Sequence, residues 1–372
     1  MNPPEPPSCL LSDLPPEARI LIVRLRSIGD IILLTPALQA LKEWRRDLRI
    51  TVLVESRFRE LLEMIPDVDE ALTLGDQPGN DGSGLQVTRA VRRQRFQLCL
   101  NLHGGPTSSL LTALSGARWK AGFAHFRMRR IYNLLIPDAR TILHQPRIHT
   151  AEHQASAFFW MGMPQRSLPR ARLAVQPEDK DWWEAERVLL DLPVERPYGV
   201  LHPAALYPTK QWAPEKFARL GQYLDQQAGV TPLFVVGPGE SETLDAVERA
   251  RQAPVRRLEG ATLGQLAAAL SGARLLVGND SGPAHMSQAL EVPTAVIFGS
   301  SSSAIWGPWP IEERGRRAWV VQNPFDCNPC PGDRCYRYDR PQCILSVTFD
   351  QVREAVENLL STTAKPLAGT GH

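Results

Sequence analysis

Apolar positions along the chain fall into two alternating patterns. Short, nearly continuous runs such as ILIVRL (20–25), ITVLVE (50–55) and LCLNLHG (98–104) suit strands buried on both faces. Between them, IILLTPALQALKEWRR, FRELLEMI and TSSLLTALSGA carry helical spacing. The alternation lapses over QRSLPRARLAVQPEDKDWWEAERVLLDLPVERP, where prolines flank a charged helical segment. It then restarts. YGVLHP (198–203), TPLFVVG (231–237), RLLVGND and TAVIFG (294–299) read as strands, with EKFARLGQYLDQ, LGQLAAALSGA and HMSQALEV as the helices between them. FDQVREAVENLLS (349–361) is a last amphipathic helix. Strand alternating with helix predicts parallel sheets covered on both faces.

Length and composition agree with this pattern. At 372 residues two domains are expected, and 43% hydrophobic with 22% charged residues is ordinary for a soluble globular chain. The expected division is a lead-in without order over 1–18, a first α/β domain over 19–176, a linker over 177–197 and a second α/β domain over 198–348. No run is long and apolar enough to span a bilayer. MNPPEPPSCLLSDLPPEAR lacks the basic and apolar regions of a signal peptide, so a cytoplasmic protein is expected. Neither half carries GxGxxG after its first strand, which argues against a dinucleotide-binding enzyme. Two such domains would place ligands at strand C-terminal ends, in a cleft.

Polar residues collect at those ends. In RSIGD, Ser27 and Asp30 can cap the following helix, and Gly29 permits a turn or a close ligand approach. Equally, Asp30 can be a carboxylate that takes a proton from a substrate hydroxyl. In HPAALYPTKQW (202–212), Lys210 can lie over a phosphate with the Thr209 hydroxyl beside it, or Lys210 can be a solvated loop lysine. In GPGESET (237–243), Glu240 or Glu242 can accept from ribose hydroxyls, or simply favour the first turn of a helix. VGNDSGPAHMSQALEVPTAVIFG (277–299) puts Asp280, Ser281, Gly282 and His285 where a strand hands over to a helix. Free N–H groups and the positive dipole end at such a place bind phosphate. A helix cap with a core histidine is the plainer alternative. Three similarly placed polar loops in one half favour a site.

Charge is uneven although the net value is only +2. Between Gly82 and Pro137 there is no Asp or Glu, while Arg89, Arg92, Arg93, Arg95, Arg118, Lys120, Arg127, Arg129 and Arg130 lie there with Trp119, Phe123 and Phe126. A solvated basic face competes here with a surface for a phosphorylated glycolipid, and the extent of the bias favours the latter. Cys327, Cys330, Cys335 and Cys343 follow a C-x2-C-x4-C-x7-C spacing that suggests zinc or another thiophilic metal, but the later spacing fits no common finger and no metal is assigned. The DxD matches at Asp67–Asp69 and Asp179–Asp181 fall away from predicted strand ends, which argues against metal binding there.

ILIVRLRSIGDIILLTPALQAL, HPAALYPTKQWAPEKFARL, VVGPGESE and VGNDSGPAHMSQALEVPTAVIFGSSSSAIWGP together resemble the heptosyltransferases of glycosyltransferase family nine, in order and spacing over roughly residues 19–360. The resemblance implies a GT-B fold of two Rossmann-like domains, the first taking the acceptor and the second the nucleotide sugar. Helix 349–361 would pack back across them. It implies Asp30 as catalytic base and Lys210 at the donor diphosphate. Asp280, Ser281, Gly282 and His285 would line the donor site, Glu240 would contact the ribose, and Arg24 and Ser27 would help near the phosphate. Ser281 stands where the family usually has threonine. The implied reaction is a single inverting displacement without metal or cofactor, from ADP-heptose to a lipopolysaccharide inner-core acceptor. An anionic glycolipid and the inner-leaflet surface are then the expected partners, and nucleic acid is not. Three rivals remain: a transferase using another nucleotide sugar, a sugar-nucleotide epimerase, and a catalytically silent glycolipid-binding member.

Overall fold

The computed structural model describes residues 9–75, 84–310 and 317–362, in two compact units divided between Ala174 and Val175. The first unit holds one six-stranded parallel sheet: β1 (Arg19–Val23), β2 (Arg49–Glu55), β3 (Glu70–Leu74), β4 (Leu98–Asn101), β5 (Trp119–Phe123) and β6 (Leu134–Ile136), in the order β3-β2-β1-β4-β5-β6. The second repeats the plan with β7 (Tyr198–His202), β8 (Thr231–Val236), β9 (Arg257–Glu259), β10 (Leu275–Asn279), β11 (Thr294–Ile297) and β12 (Ala318–Val321), in the order β12-β11-β10-β7-β8-β9. Every pairing is parallel. These are the two Rossmann-like sheets of a GT-B protein.

Central strands are the most apolar because both of their faces are covered. Ile20 to Val23 and Leu275 to Val277 are fully buried. Each buried Val, Leu or Ile contributes about 1.5–3 kcal/mol relative to exposure. In each sheet the winding reverses direction once, between β1 and β4 in the first unit and between β7 and β10 in the second. Loops diverge at such a point, which leaves a crevice at the strand C-terminal ends.

Five expectations need correction. Residues 9–18 are ordered: Leu10–Asp13 is a short helix, Leu11 is buried, and Arg45 Nη1 and Nη2 donate to the carbonyls of Leu11 and Leu14. Residues 1–8 lie outside the described residues, as do Gly82 and Ser83 of the acid-free stretch. Within the 177–197 segment, Pro177–Leu189 is a helix packed on Leu263–Ser271 in the second unit, with Trp183 buried against Tyr198 at 5.4 Å. The long pattern after RSIGD is two helices, Ile28–Ile32 and Thr35–Trp44. Pro36 has no N–H to continue a helix, and the Thr35 hydroxyl donates to the Ile32 carbonyl at the break. Gly29 lies inside the first of these helices and makes no turn. Helix Phe349–Thr362 packs on β11 and β12 and buries Val352, Val356 and Leu359 in the second unit's core.

Candidate active site

At the first reversal point, β1 leads through Arg24–Ser27 into helix Ile28–Ile32, whose third residue is Asp30. One carboxylate oxygen accepts from Ser27 N at 3.1 Å and from Ser27 Oγ at 3.2 Å, which closes the helix start. Its other oxygen meets the Arg24 guanidinium in an ion pair. Arg24 Nη1 also donates to the carbonyl of Leu102, after β4, so the guanidinium ties the two diverging strands together. Gln154 Nε2 donates to the Asp30 carbonyl from behind at 3.0 Å. Ser27 and Asp30 therefore do form a cap, and the second Asp30 oxygen pairs with Arg24 at the strand end.

Two histidines that the sequence patterns leave unremarked lie within electrostatic reach of this carboxylate. His103, in the turn after β4, is half-buried, and burial together with the Arg24 and Arg26 charges pushes its imidazole pKa down. His153 stacks on Phe123 at 4.3 Å between centroids. Burial, followed by the nearby His125 and Arg24, pushes its pKa down to about 4. Buried Asn101 orders the turn: its Oδ1 accepts from the backbone N–H of His103 and Gly104, and its Nδ2 donates to Tyr132 Oη and Ser108 Oγ. Gly104 has φ +75°, and a side chain there would meet the Phe126 ring at 2.5 Å. The signal for these residues lay in three-dimensional neighbours, which no local spacing announces.

At the second reversal point the loops after β7 and β10 meet. Lys210, ending the Pro208–Lys210 turn, donates to Asp280 Oδ2 at 2.7 Å, with the lysine side chain 24% exposed and the aspartate 6%. Asn279, fully buried, fastens the two loops: Oδ1 accepts from Trp212 N at 3.0 Å and Nδ2 donates to the Pro203 carbonyl at 2.8 Å. Helix Gly282–Ala289 starts directly after, with Ser281 at its N-cap and Pro283 in its first turn. Ser281 Oγ donates to the Asn279 carbonyl at 3.1 Å. That leaves the helix N–H groups as the anion-binding end. His285 is buried on the same helix. Beneath, His202 sits with Nδ1 2.9 Å from the Val235 carbonyl, and burial pushes its pKa down.

Thr209 is turned away from this group. It is buried, donates to the Gly332 carbonyl and accepts from Ser300 Oγ at 3.1 Å, so its hydroxyl serves the loop behind Lys210. A side chain at Gly299 would run into the Thr209 carbonyl, which explains the glycine after β11. Glu240 uses one carboxylate oxygen to accept from Gly237 N at 2.8 Å, tightening the turn after β8. Cys327, Cys330, Cys335 and Cys343 are free thiols lining one cavity of about 40 Å³ that also touches Thr209 and Ser300. Burial raises the Cys343 pKa. Among the described residues, no three His, Cys, Asp or Glu side chains are gathered to hold a metal ion. The first DxD is committed elsewhere: Asp67 accepts from Arg172 at 2.7 Å, and Asp69 from Lys42 at 2.6 Å and Ile50 N at 2.7 Å.

With this geometry in place, comparison with known proteins is informative. Over 303 residues the chain is 26% identical to lipopolysaccharide heptosyltransferase 3 of Escherichia coli K12, covering 77% of this chain and 83% of that one. It is 25% identical over 356 residues to lipopolysaccharide heptosyltransferase 2 of Salmonella typhimurium, covering 92% and 99%. Its fold matches the structure of E. coli ADP-heptose lps heptosyltransferase II with a TM-score of 0.75 at 21% identity, covering 93% and 100%. The family model for glycosyltransferase family 9 (heptosyltransferase) matches residues 85–336, more than half of the chain and the whole span from the basic stretch through the Lys210, Glu240 and Asp280 loops. A match of that extent, with a carboxylate at one reversal point and an anion-binding helix end at the other, makes the chain a glycosyltransferase that belongs to family 9, the heptosyltransferases.

Proposed function

We propose that the protein transfers a heptose from ADP-heptose to a lipopolysaccharide inner-core acceptor, with inversion at the anomeric carbon and without a metal ion. The observation that carries this reading is the Lys210–Asp280 pair at the start of helix Gly282–Ala289. The pair holds a cation beside free N–H groups, and a diphosphate can displace Asp280 from Lys210 without rebuilding the loop. Asp30 takes the proton of an acceptor hydroxyl, whose oxygen attacks the anomeric carbon. The bond from that carbon to the diphosphate breaks, and its electron pair leaves with ADP. Lys210, the helix N-terminus and the Ser281 hydroxyl, once it turns from the Asn279 carbonyl, stabilise the charge that grows on the leaving oxygen. Asp280 and His285 shape this donor loop, Gly282 lets the phosphate approach the backbone, and the second oxygen of Glu240 accepts from a ribose hydroxyl. Arg24 and Ser27 hold Asp30. The acceptor is an anionic glycolipid, which places the reaction on the cytoplasmic face of the inner membrane. Relatives named for lipopolysaccharide heptosyl transfer support the donor and acceptor classes.

The test is ADP release from ADP-heptose in chelator-treated buffer, with and without a lipid A–Kdo acceptor, on wild type and Asp30→Asn. The expected result is acceptor-dependent release that collapses in the variant. Release that needs added divalent metal would overturn metal independence, and failure to bind any ADP-sugar would overturn the donor assignment. A donor consumed equally without acceptor would favour an epimerase.

A further inference from the structure

We infer that one outer flank of the first unit is a docking surface for an anionic lipid bilayer, with Leu110, Leu114 and Met128 entering the lipid interface. The choice of a bilayer rests on the transferase reading, whose lipid-linked acceptor lies there. Helix Pro106–Leu114 packs between helix Gly84–Arg93 and the Arg129–Ile131 turn, so the three form one continuous face. Buried Leu111 and Thr112 point this helix into the unit, while Leu110 and Leu114, one helical turn apart, stand 55% and 40% exposed. Met128, beside the turn, is 37% exposed.

Charge decides what covers these apolar side chains. Arg92 and Arg93 end the first helix, Arg118 lies over Trp119, and Arg127, Arg129 and Arg130 surround Met128; all are exposed. Among the described residues none of these six is in an ion pair, whereas most arginines elsewhere in the first unit are. The second unit supplies a contrast. Val188, Leu189 and Val194 are more exposed still, at 72%, 79% and 77%, but there Glu184, Glu186, Asp191 and Glu195 outnumber Arg187 and Arg196, which are themselves ion-paired. A negative membrane surface repels that face and attracts the first. Exposed leucines within an unpaired basic field suit insertion between lipid headgroups; a polyanion such as RNA would use the arginines and leave the leucines idle. The Arg129–Ile131 turn follows β5, at the same sheet end as Asp30, so the Met128 end of this flank lies on the side of the proposed base, while Leu114, Arg92, Arg93 and Arg118 lie toward the other sheet end. Among the described residues no helix is long and apolar enough to cross a membrane.

Co-sedimentation of the full chain with vesicles of phosphatidylcholine, alone or mixed with phosphatidylglycerol, tests the surface. Wild type should partition onto the mixed vesicles roughly tenfold more than onto neutral ones. The double variant Leu110→Ser/Leu114→Ser and the triple variant Arg127→Ala/Arg129→Ala/Arg130→Ala should each lose most of that binding, while Leu189→Ser keeps it. Equal melting temperatures and unchanged transfer to a soluble acceptor fragment certify that the variants fold. Binding that survives the leucine substitutions would show adsorption of charge alone and overturn the inference, as would absence of binding to the mixed vesicles or a loss in Leu189→Ser. Vesicle binding without transferase activity would leave the surface standing and sink the transfer reading instead.

Discussion

The two units share one winding order and one reversal point, yet they hold their charges in different ways. In the first, cation and carboxylate come from a single loop: Arg24 and Asp30 are six residues apart, and Ser27 between them caps the helix. In the second, Lys210 and Asp280 come from loops that are brought together only by the sheet, and buried Asn279 fastens those loops. A locally capped carboxylate is fixed in place while remaining a proton acceptor. A lysine paired across two strands is fixed in place while remaining able to exchange its partner for phosphate. In the proposed reaction the same architecture would serve a base in one unit and an anion cradle in the other.

Single substitutions should split these roles. Asp30→Asn keeps an oxygen for the Ser27 cap and removes the charge, so kcat should fall by about 10²–10⁴-fold while ADP affinity, read by calorimetry, stays within about twofold of wild type. Lys210→Met should lower kcat by about 10²-fold and weaken ADP binding by about tenfold as well. If both variants lowered ADP affinity alike, the division of labour would fail.

A second contrast concerns anchoring. Asn279→Ala strands two buried backbone groups, Trp212 N–H and the Pro203 carbonyl, and should cost about 2–4 kcal/mol in a denaturant melt. Ser27→Ala removes only a helix cap and should cost about 1 kcal/mol. Equal costs would mean that the second unit's loops are held by something other than Asn279.

Legibility in the sequence followed the same line between local and distant. The strands that flank each reversal point announce themselves because burial on both faces leaves ILIV and LLV with no polar alternation. The edge strands β3, β9 and β12 carry mixed residues such as Glu70, Arg257 and Trp319 and give no strand signal, and the short β5 and β6 give none either. Asp30, Lys210 and Asp280 were readable as polar groups at strand ends, and the structure puts them at the two reversal points. Thr209 was misread because its loop position is right and its direction is set by Gly332 and Ser300, far along the chain. Asn279 sits inside the VGND motif, but nothing local marks its role, since its partners are Trp212 and Pro203. The order in residues 9–18 was missed because Arg45 supplies it.

The last and smallest difference lies in acid. His153 belongs to the first unit only, stacked on Phe123 with Arg24, His125, Asp30 and Asp138 acting on it. Its folded pKa, about 4, is below the unfolded value of 6.5. On acidification the unfolded chain therefore binds the proton first. Above pH ~6.5 both states are neutral and stability is complete; it drains as pH falls from there toward about 4. Between pH ~6.5 and ~5.5 the loss from this group should be about 1 kcal/mol. His153→Phe preserves a ring against Phe123 and removes the titration. Its melting temperature should fall less steeply than that of wild type across this window, and the two curves should run parallel above it. Parallel curves throughout would mean that the imidazole is solvated and that Phe123 does not shelter it. Since His153 senses Asp30 and Arg24, the same variant should leave the Lys210–Asp280 loop, and with it ADP affinity, unchanged.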